Sequence, residues 1–218
     1  MLTNYFRKLL YLVVLIAFGV ANAGAYDDFF RALKSDDAGT VKALLAQGFD
    51  ANSVDDKGQV PLYLALRDGN FKVCAALLDH PSSRIDQPNA VGETPLMMAA
   101  LRGQTEWAGR LLDRGARLNG VDNGERAGWT ALHYAAAGPD ARTVALLLAR
   151  GARVDARAPN GTTALMMAAQ YGAEGAVPQL LQKGANPRLK NDQGLVAADF
   201  AAKGGREALA KQLQAAAR

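Results

Sequence analysis

Few side chains in this sequence are of the types that perform chemistry. The chain of 218 residues has two histidines, His80 and His133, and one cysteine, Cys74. A zinc site needs three or four His, Cys or carboxylate ligands at recognisable spacings, and the sequence holds no such cluster. It also lacks the motifs H-E-x-x-H, G-x-S-x-G and G-x-x-x-x-G-K-[ST]. We therefore expect no catalytic residue, no metal site and no cofactor, and predict that the protein is not an enzyme.

The elements that position these residues follow a repeated phrase. Each copy has a glycine two positions before an anchor residue and an alanine five positions after it. Two adjacent leucines follow seventeen and eighteen positions after most anchors. Neighbouring anchors are 34, 36, 33 and 33 residues apart along the chain. The five anchors are Val60, Thr94, Thr130, Thr163 and Val196.

Each copy of the phrase predicts two short helices. Its apolar residues recur at spacings of three and four, which is the period of a helix with one buried face. Pro61 and Pro95 lie just inside the first helix, where a missing N–H is harmless. Glycines follow the second helix, where a left-handed residue ends it; they are Gly48, Gly115, Gly151 and Gly184. One such pair of helices cannot bury its apolar face alone, but stacked pairs can.

A period of this length with the phrase Thr94-Pro95-Leu96 resembles the ankyrin repeat. The resemblance covers roughly residues 26 to 218. It implies an all-α ankyrin-repeat solenoid of about six stacked helix–turn–helix repeats, joined by β-hairpin-like fingers. The predicted repeats span residues 24–55, 56–89, 90–122, 123–158, 159–191 and 192–218, and the first and last resemble polar terminal caps.

Residues 1 to 23 have the pattern of a secretory signal peptide. Arg7 and Lys8 precede a short apolar segment, and small residues follow it. Cleavage is predicted after Ala23 or, alternatively, after Ala25. The other interpretation is an uncleaved anchor, but about 12 apolar residues fall short of the roughly 20 that span a bilayer. We expect an exported protein without stable membrane insertion after cleavage; the likeness to secreted bacterial ankyrin proteins favours the periplasm over the extracellular space.

Cys74 and His133 have structural interpretations within the repeat. Cys74 lies fourteen residues after an anchor, where Val144 and Val177 occupy other repeats, so we expect it in the core. A reactive or intermolecular thiol is the alternative. His133 matches the histidine of the ankyrin phrase T-P-L-H, and the resemblance implies hydrogen bonding to backbone between repeats.

The charge distribution argues against nucleic acid as a partner. The formal net charge is +4, with 25 basic and 21 acidic residues. Loss of Arg7 and Lys8 with the signal peptide would leave about +2. The remaining basic residues are interleaved with acidic ones, whereas a nucleic-acid interface needs a concentrated basic stripe.

The remaining candidate function is protein binding by a monomeric module. Ankyrin proteins bind through the concave face of the first helices and through the fingers, and the longest finger insertion, Gly120 to Arg126, precedes the repeat of Thr130. Large residues three and four positions after each anchor, such as Met97 and Met167, are either packing or surface. Trp107 is expected to pack. The candidate binding residues are Leu101, Arg102, Arg126, Trp129, Tyr134 and Tyr171.

The sequence leaves the identity of that protein partner open. An accessory factor that stabilises a periplasmic enzyme, for example in envelope stress, is one alternative. An exported effector that engages a host protein is another, and catalysis is the weakest.

Overall fold

The computed structural model describes residues 24–119 and 128–217. Within these ranges the regular structure is helical and no strand occurs, as predicted. The chain forms two compact units, and the boundary falls between Arg84 and Ile85. The boundary lies in the loop that follows the helix ending at Asp79, where Pro81 replaces the glycine that usually follows a second helix.

In the part of the chain that the structure describes, the N-terminal unit, up to Arg84, has four helices and the C-terminal unit has eight. The first helix, α1, includes residues 24–34. The N-terminal unit continues with α2 (Ala38–Ala46), α3 (Pro61–Asp68) and α4 (Phe71–Asp79). The C-terminal unit has α5 (Pro95–Leu101), α6 (Thr105–Asp113), α7 (Ala131–Ala137), α8 (Ala141–Ala149), α9 (Ala164–Tyr171), α10 (Ala176–Gln182), α11 (Ala197–Lys203) and α12 (Glu207–Ala216).

The anchor of each repeat is the N-cap of its first helix. All five anchors have extended backbone, and the helix begins at the next residue. In two repeats the anchor hydroxyl accepts a hydrogen bond from the backbone three residues on, for example Thr94 Oγ1 from Met97 N at 3.3 Å. Such a bond satisfies one of the free N–H groups at a helix start. The helix ends also agree with the prediction, because Gly48 and its three equivalents have φ angles of 87° to 91°.

Within the C-terminal unit, the first helices pack side by side in the order α5, α7, α9 and α11. The second helices α6, α8 and α10 form the adjacent row. Alanines at the contact positions, such as Ala99, Ala135 and Ala168, are fully buried or nearly so, and their small side chains let the helices approach closely. Leucines of the second helices fill the remaining space, including Leu111, Leu147 and Leu180.

The connecting fingers are tight turns rather than β-ladders. In one of them Asn89 N donates to Glu93 O at 2.8 Å, and Gly92 N donates back to Asn89 O at 3.0 Å. The Asn89 side-chain oxygen also accepts from the backbone N–H groups of Val91 and Glu93. Asn191 repeats this arrangement. The fingers therefore keep a fixed conformation through their own side chains.

Side chains also connect successive repeats within each unit. In the N-terminal unit Asn52 Oδ1 accepts a hydrogen bond from Arg84 N at 2.7 Å. In the C-terminal unit three such bonds follow at equivalent positions: Asp86 accepts from Arg117 N, Asn119 from Arg153 N and Asp155 from Asn186 N. These bonds hold neighbouring repeats in register, in addition to apolar packing.

Several expected core residues are buried. Cys74 has no exposed surface, as expected for a substitute for valine. Trp107 is 8% exposed and packs under Arg110, whose guanidinium carbon lies 4.3 Å from the ring centroid. The residues three positions after the anchors, Tyr63, Met97, His133 and Met166, are also all buried. This series therefore belongs to the packing rather than to the surface.

The segment predicted as a signal peptide, residues 1–23, lies outside the described residues, as does the finger insertion at Gly120 to Arg126. The cleavage site and the six repeat boundaries therefore stay predictions. Among the helices of the described chain, none has the length and apolar character required to cross a membrane.

Candidate protein-binding site

The candidate site lies on the first helices of the C-terminal unit. The position four residues after the anchor is buried at Met98, but half-exposed at Tyr134, Met167 and Phe200. Because α7, α9 and α11 are neighbours, these three large side chains form a continuous surface. We call it the aromatic face and define it by Leu101, Trp129, Tyr134, Met167, Tyr171 and Phe200.

Two depressions lie on the aromatic face. The smaller one has a volume of about 190 Å³ and is lined by Leu101, Trp129, His133, Tyr134, Ala137 and Met167. The larger one has a volume of about 510 Å³ and includes Tyr171, Phe200 and Lys203, with the finger residues Asn160, Asp192 and Gln193. Trp129 and Met167 line both depressions, so the two are parts of one cleft.

Trp129 is held in the wall of the smaller depression by two rings. Its ring centroid lies 5.4 Å from that of His133 in an edge-on arrangement, and 6.3 Å from that of Tyr134. Such aromatic pairs each contribute about 0.5–1.5 kcal/mol beyond area burial. Trp129 is half-exposed, so it has a fixed orientation and a face that a partner can contact.

The Tyr134 ring is fixed by the preceding finger. Its hydroxyl donates a hydrogen bond to Glu93 Oε1 at 2.9 Å. The other carboxylate oxygen of Glu93 accepts from the Asn89 side chain at 3.2 Å, and Asn89 is itself buried. A chain of three side chains thus holds one wall of the cleft in place before any partner binds.

His133 supports the cleft from beneath. Its Nδ1 accepts from Thr130 N at 3.1 Å, and its Nε2 lies 3.1 Å from Thr162 O. A donor on one side and a carbonyl on the other select the neutral tautomer with the proton on Nε2. Burial lowers the pKa of His133 to about 4, although the hydrogen bonds to the carbonyls of Thr162 and Ala156 oppose this shift. The expected bond from His133 to backbone of the neighbouring repeat is therefore present.

The structure brings together most of the candidate residues identified from the sequence. Leu101, Trp129 and Tyr134 line the smaller depression, and Tyr171 lines the larger one with a 60% exposed side chain. Arg102 directly follows Leu101 and is exposed, but it lines neither depression. Arg126 falls outside the described residues.

The cleft-lining residues that sequence reasoning did not select include four on α9 and α11: Met167, Gln170, Phe200 and Lys203. For Met167 and Phe200 a signal existed, because both belong to the large residues four positions after an anchor. The sequence could not separate them from Leu64 and Met98, which have the same position but are buried. Exposure at this position differs from repeat to repeat, and a repeat pattern does not report that difference.

Other reactive side chains of the described chain show no catalytic arrangement. No group of three or more His, Cys, Asp or Glu residues within residues 24–119 and 128–217 is placed to hold a metal ion. His80 Nδ1 lies 2.8 Å from the Ser82 hydroxyl on the loop after α4, and both side chains are solvent-accessible there. Cys74 is fully buried.

Comparison with known proteins identifies the family. A model described as "Ankyrin repeats (3 copies)" matches residues 29–122, 117–191 and 138–216. The chain therefore belongs to the ankyrin-repeat family, whose repeats mediate protein–protein interaction and whose members are generally not catalytic.

Curated relatives share the repeats but are much longer proteins. The chain is 36% identical over 110 residues to the ankyrin repeat and SAM domain-containing protein 6 of Rattus norvegicus. The matched segment covers 50% of this chain and 12% of that protein. It is 51% identical over 81 residues to the human neurogenic locus notch homolog protein 4, covering 36% of this chain and 4% of that protein. The chain thus spans a small fraction of the length of these relatives.

One solved structure contains a chain that is similar to this protein over most of the length of both. It is a complex of the Bd0816 predatory endopeptidase from Bdellovibrio bacteriovorus with the immunity protein Bd3460, and the similar chain is the ankyrin-type immunity protein. The TM-score is 0.71 and the identity 29%, and the match covers 86% of this chain and 97% of that chain.

Proposed function

We propose that this chain is an exported module that binds one protein partner through the aromatic face of its C-terminal unit. The observation that carries the proposal is the cleft shared by Trp129 and Met167, in which large apolar side chains are left half-exposed on three adjacent helices. Exposed apolar patches of this kind on soluble proteins mark interaction sites. Interface energy is concentrated in Trp, Tyr and Arg residues, and Trp129, Tyr134 and Tyr171 are of these types.

Photo-crosslinking in the native organism tests the binding face. A photoreactive phenylalanine analogue replaces Tyr171 on the aromatic face or, as the matched control, Gln182 on the exposed side of α10. We expect the Tyr171 position to capture one distinct protein that the Gln182 position does not capture, as identified by mass spectrometry. Capture of the same protein from Gln182 alone would contradict the assignment.

Export is a separate part of the proposal. It is supported by the basic residues and the apolar segment that precede Ala23. We place the mature protein in the periplasm, with the extracellular space as the alternative. The intact mass of protein recovered from the native organism distinguishes a chain that begins at Gly24 or Tyr26 from one that retains Met1, and the retained leader would contradict export by cleavage.

An immunity-type inhibitor of a peptidase is the second candidate function. The observation that favours it is the similarity to an ankyrin-type immunity protein over 97% of that chain. If the crosslinked partner is a peptidase, we expect the purified chain to inhibit it with one-to-one stoichiometry and the Trp129→Ala variant to inhibit more weakly. Full peptidase activity in the presence of saturating chain would exclude inhibition and leave the accessory or effector roles.

A further inference from the structure

Arg206 connects three helices next to the larger depression of the cleft. We propose that it is a positioning residue for that depression: by fastening α11 to the end of α9, it keeps Phe200 and Lys203 in the wall of the cleft. Arg206 itself lines neither depression, so it acts through α11 rather than by touching a partner. This inference rests on the proposed function, because it concerns the same cleft.

The Arg206 side chain bonds to the carboxyl-terminal end of α9. Its Nη1 atom donates to Ala168 O at 2.8 Å, and also to Ala169 O and Gly172 O at 3.2 Å each. Carbonyls without a partner inside the helix collect at the carboxyl end of every helix. A cation there also interacts favourably with the helix dipole. One guanidinium nitrogen thus binds the end of α9 from the neighbouring repeat.

The Arg206 backbone joins this contact to α11 and α12. Its N–H donates to Ala201 O of α11 at 2.8 Å, and its carbonyl accepts from Ala210 N of α12 at 2.9 Å. Arg206 is also the N-cap residue of α12. The side chain therefore fastens the junction of the last two helices directly to α9.

Both helices that Arg206 connects through its side chain and its N–H line the larger depression. Phe200 of α11 is half-exposed there, and the Lys203 ammonium lies 5.9 Å from the Phe200 ring centroid. On α9, Gln170 lines the same depression and directly follows Ala169, whose carbonyl Arg206 binds. The Arg206 contact therefore fixes where α11 lies relative to α9 in this part of the cleft.

The contact between α11 and α9 is the main support of the last repeat. A Cβ atom on Gly204 would lie 2.6 Å from Gln170 O and 3.2 Å from Gln170 Cα, so the end of α11 lies directly against the α9 backbone. The second helices α6, α8 and α10 pack against one another in a row, whereas α12 packs mainly on α11. Arg206 adds a charged hydrogen-bonding group to this support.

The residue ten positions after the anchor makes a similar connection in other repeats. In the N-terminal unit this residue is Asn70, whose side-chain nitrogen donates to Leu33 O of α1 at 2.8 Å. After α9 it is Ala173, whose backbone N–H donates to Gly138 O at 3.3 Å. Of these three connections, only that of Arg206 carries a charge.

Hydrogen exchange of the full chain tests the role of Arg206. Arg206→Met keeps a long side chain but removes the charge and the donors, whereas Arg206→Lys restores a charged donor without the planar fork. Lys211→Met, on the exposed side of α12, is the matched control. The second measurement is the fluorine NMR signal of Phe200 in protein labelled with fluorophenylalanine, assigned through the variant Phe200→Leu.

We expect Arg206→Met to speed amide exchange in α11 and α12 at least about 10-fold, which corresponds to about 1.4 kcal/mol. Exchange in α5 to α8 should stay unchanged, and the Phe200 signal should move toward that of the unfolded chain. Arg206→Lys should recover part of both effects, and Lys211→Met should cause neither. A merely global loss of stability would instead speed exchange throughout the C-terminal unit.

Affinity for the protein captured from Tyr171 completes the test. Arg206→Met should weaken binding, but should add almost nothing in a chain that already carries Phe200→Ala and Lys203→Ala, because these changes act on the same part of the cleft. Unchanged exchange in α11 and α12, an unmoved Phe200 signal, or full additivity would overturn the inference. If the exchange and fluorine results hold but Tyr171 captures no protein, Arg206 still positions α11 and the proposed function is what fails.

Discussion

The two units use the same repeat positions to build two different surfaces. In the N-terminal unit, the depression next to α1 and α3 has a volume of about 670 Å³ and is lined mainly by charged side chains. We call this the charged face and define it by Asp27, Arg31, Lys34, Asp56, Lys57, Arg67 and Asp68. In the C-terminal unit, the corresponding helix positions form the aromatic face.

Two positions illustrate the difference. Eight residues after the anchor, α3 has Asp68 while α9 has Tyr171, and both are exposed. Four residues after the anchor, Leu64 is 4% exposed, whereas Met167 is half-exposed. The positions that face the neighbouring helix are restricted by packing, whereas those at the helix end are free to vary. A repeat can therefore change its binding chemistry without changing its core.

The largest expected effect is a loss of folding stability at low pH, which His133 causes in the C-terminal unit. The pKa of His133 in the C-terminal unit is lowered by burial from 6.5 to about 4. As the pH falls from about 6.5 to about 4, the unfolded chain binds a proton that the folded chain does not bind, so stability falls by up to about 3 kcal/mol. At neutral pH this contribution is fully present, and below about pH 4 no more is lost.

The variant His133→Met isolates this contribution. Methionine occupies the equivalent positions 97 and 166, where its sulfur accepts the N–H of the anchor at 3.4 Å. The variant should lose about 1 kcal/mol at pH 7, because Thr162 O loses its donor, but its stability should fall less steeply with acid. Urea unfolding across this pH range provides the measurement, and an unchanged slope would show that His133 does not titrate in this way.

The next prediction compares how tightly the backbone is packed around equivalent glycines of the two units. Gly172 and Gly69 lie at the same repeat position, nine residues after the anchor. A Cβ atom on Gly172 would overlap Ala136 O and lie 2.7 Å from Ala168 Cα, both of them backbone atoms, whereas a Cβ on Gly69 would meet nothing within 4 Å. We expect Gly172→Ala to lower the free energy of unfolding by about 3 kcal/mol.

Gly69→Ala is the matched control for Gly172→Ala. Its backbone is left-handed, with φ of 76°, so an alanine there costs about 1–2 kcal/mol from strain alone. Chemical denaturation of both variants compares the two causes directly. If Gly69→Ala proves the more damaging, local strain rather than the contact between repeats controls this position.

The two faces can also be compared in binding. Tyr171→Ala should weaken capture of the partner by about 2 kcal/mol, or roughly 30-fold, if it is an interface anchor. Asp68→Ala, at the same repeat position on the charged face, should leave the affinity almost unchanged. Titration of the crosslink-identified partner against both variants, with thermal unfolding as a check, provides the measurement. The reverse order of effects would move the binding site to the charged face.

The sequence predicts most of the fold because packing imposes strict rules. Pro61 and Pro95 are the first residues of their helices, as predicted. Glycines such as Gly48 and Gly151 end the second helices, since few other residues tolerate a left-handed backbone. The burial of Cys74 and Trp107 followed from their place in the repeat.

The candidate site was less predictable. Tyr171 could be selected because it lies at a helix end, but Met167 and Met98 share a repeat position and differ in exposure. The Glu93–Tyr134 hydrogen bond joins residues 41 positions apart and has no sequence signature. Such features depend on how neighbouring repeats meet, so they become visible only in three dimensions.

The smallest effect is expected where the two units are most alike. Cys74 on α4 and Val144 on α8 occupy the same repeat position, and neither has exposed surface. Volume-conserving core exchanges usually cost less than about 1.5 kcal/mol, so Cys74→Val and Val144→Cys should each remain within that limit. A bulky maleimide should label Cys74 in the native protein slowly, and label the cysteine of the Val144→Cys, Cys74→Val double variant equally slowly, until denaturant is added. Rapid labelling of the native protein at only one of these positions would mean that the two cores open at different rates. The two units would then share a repeat pattern but differ in local stability.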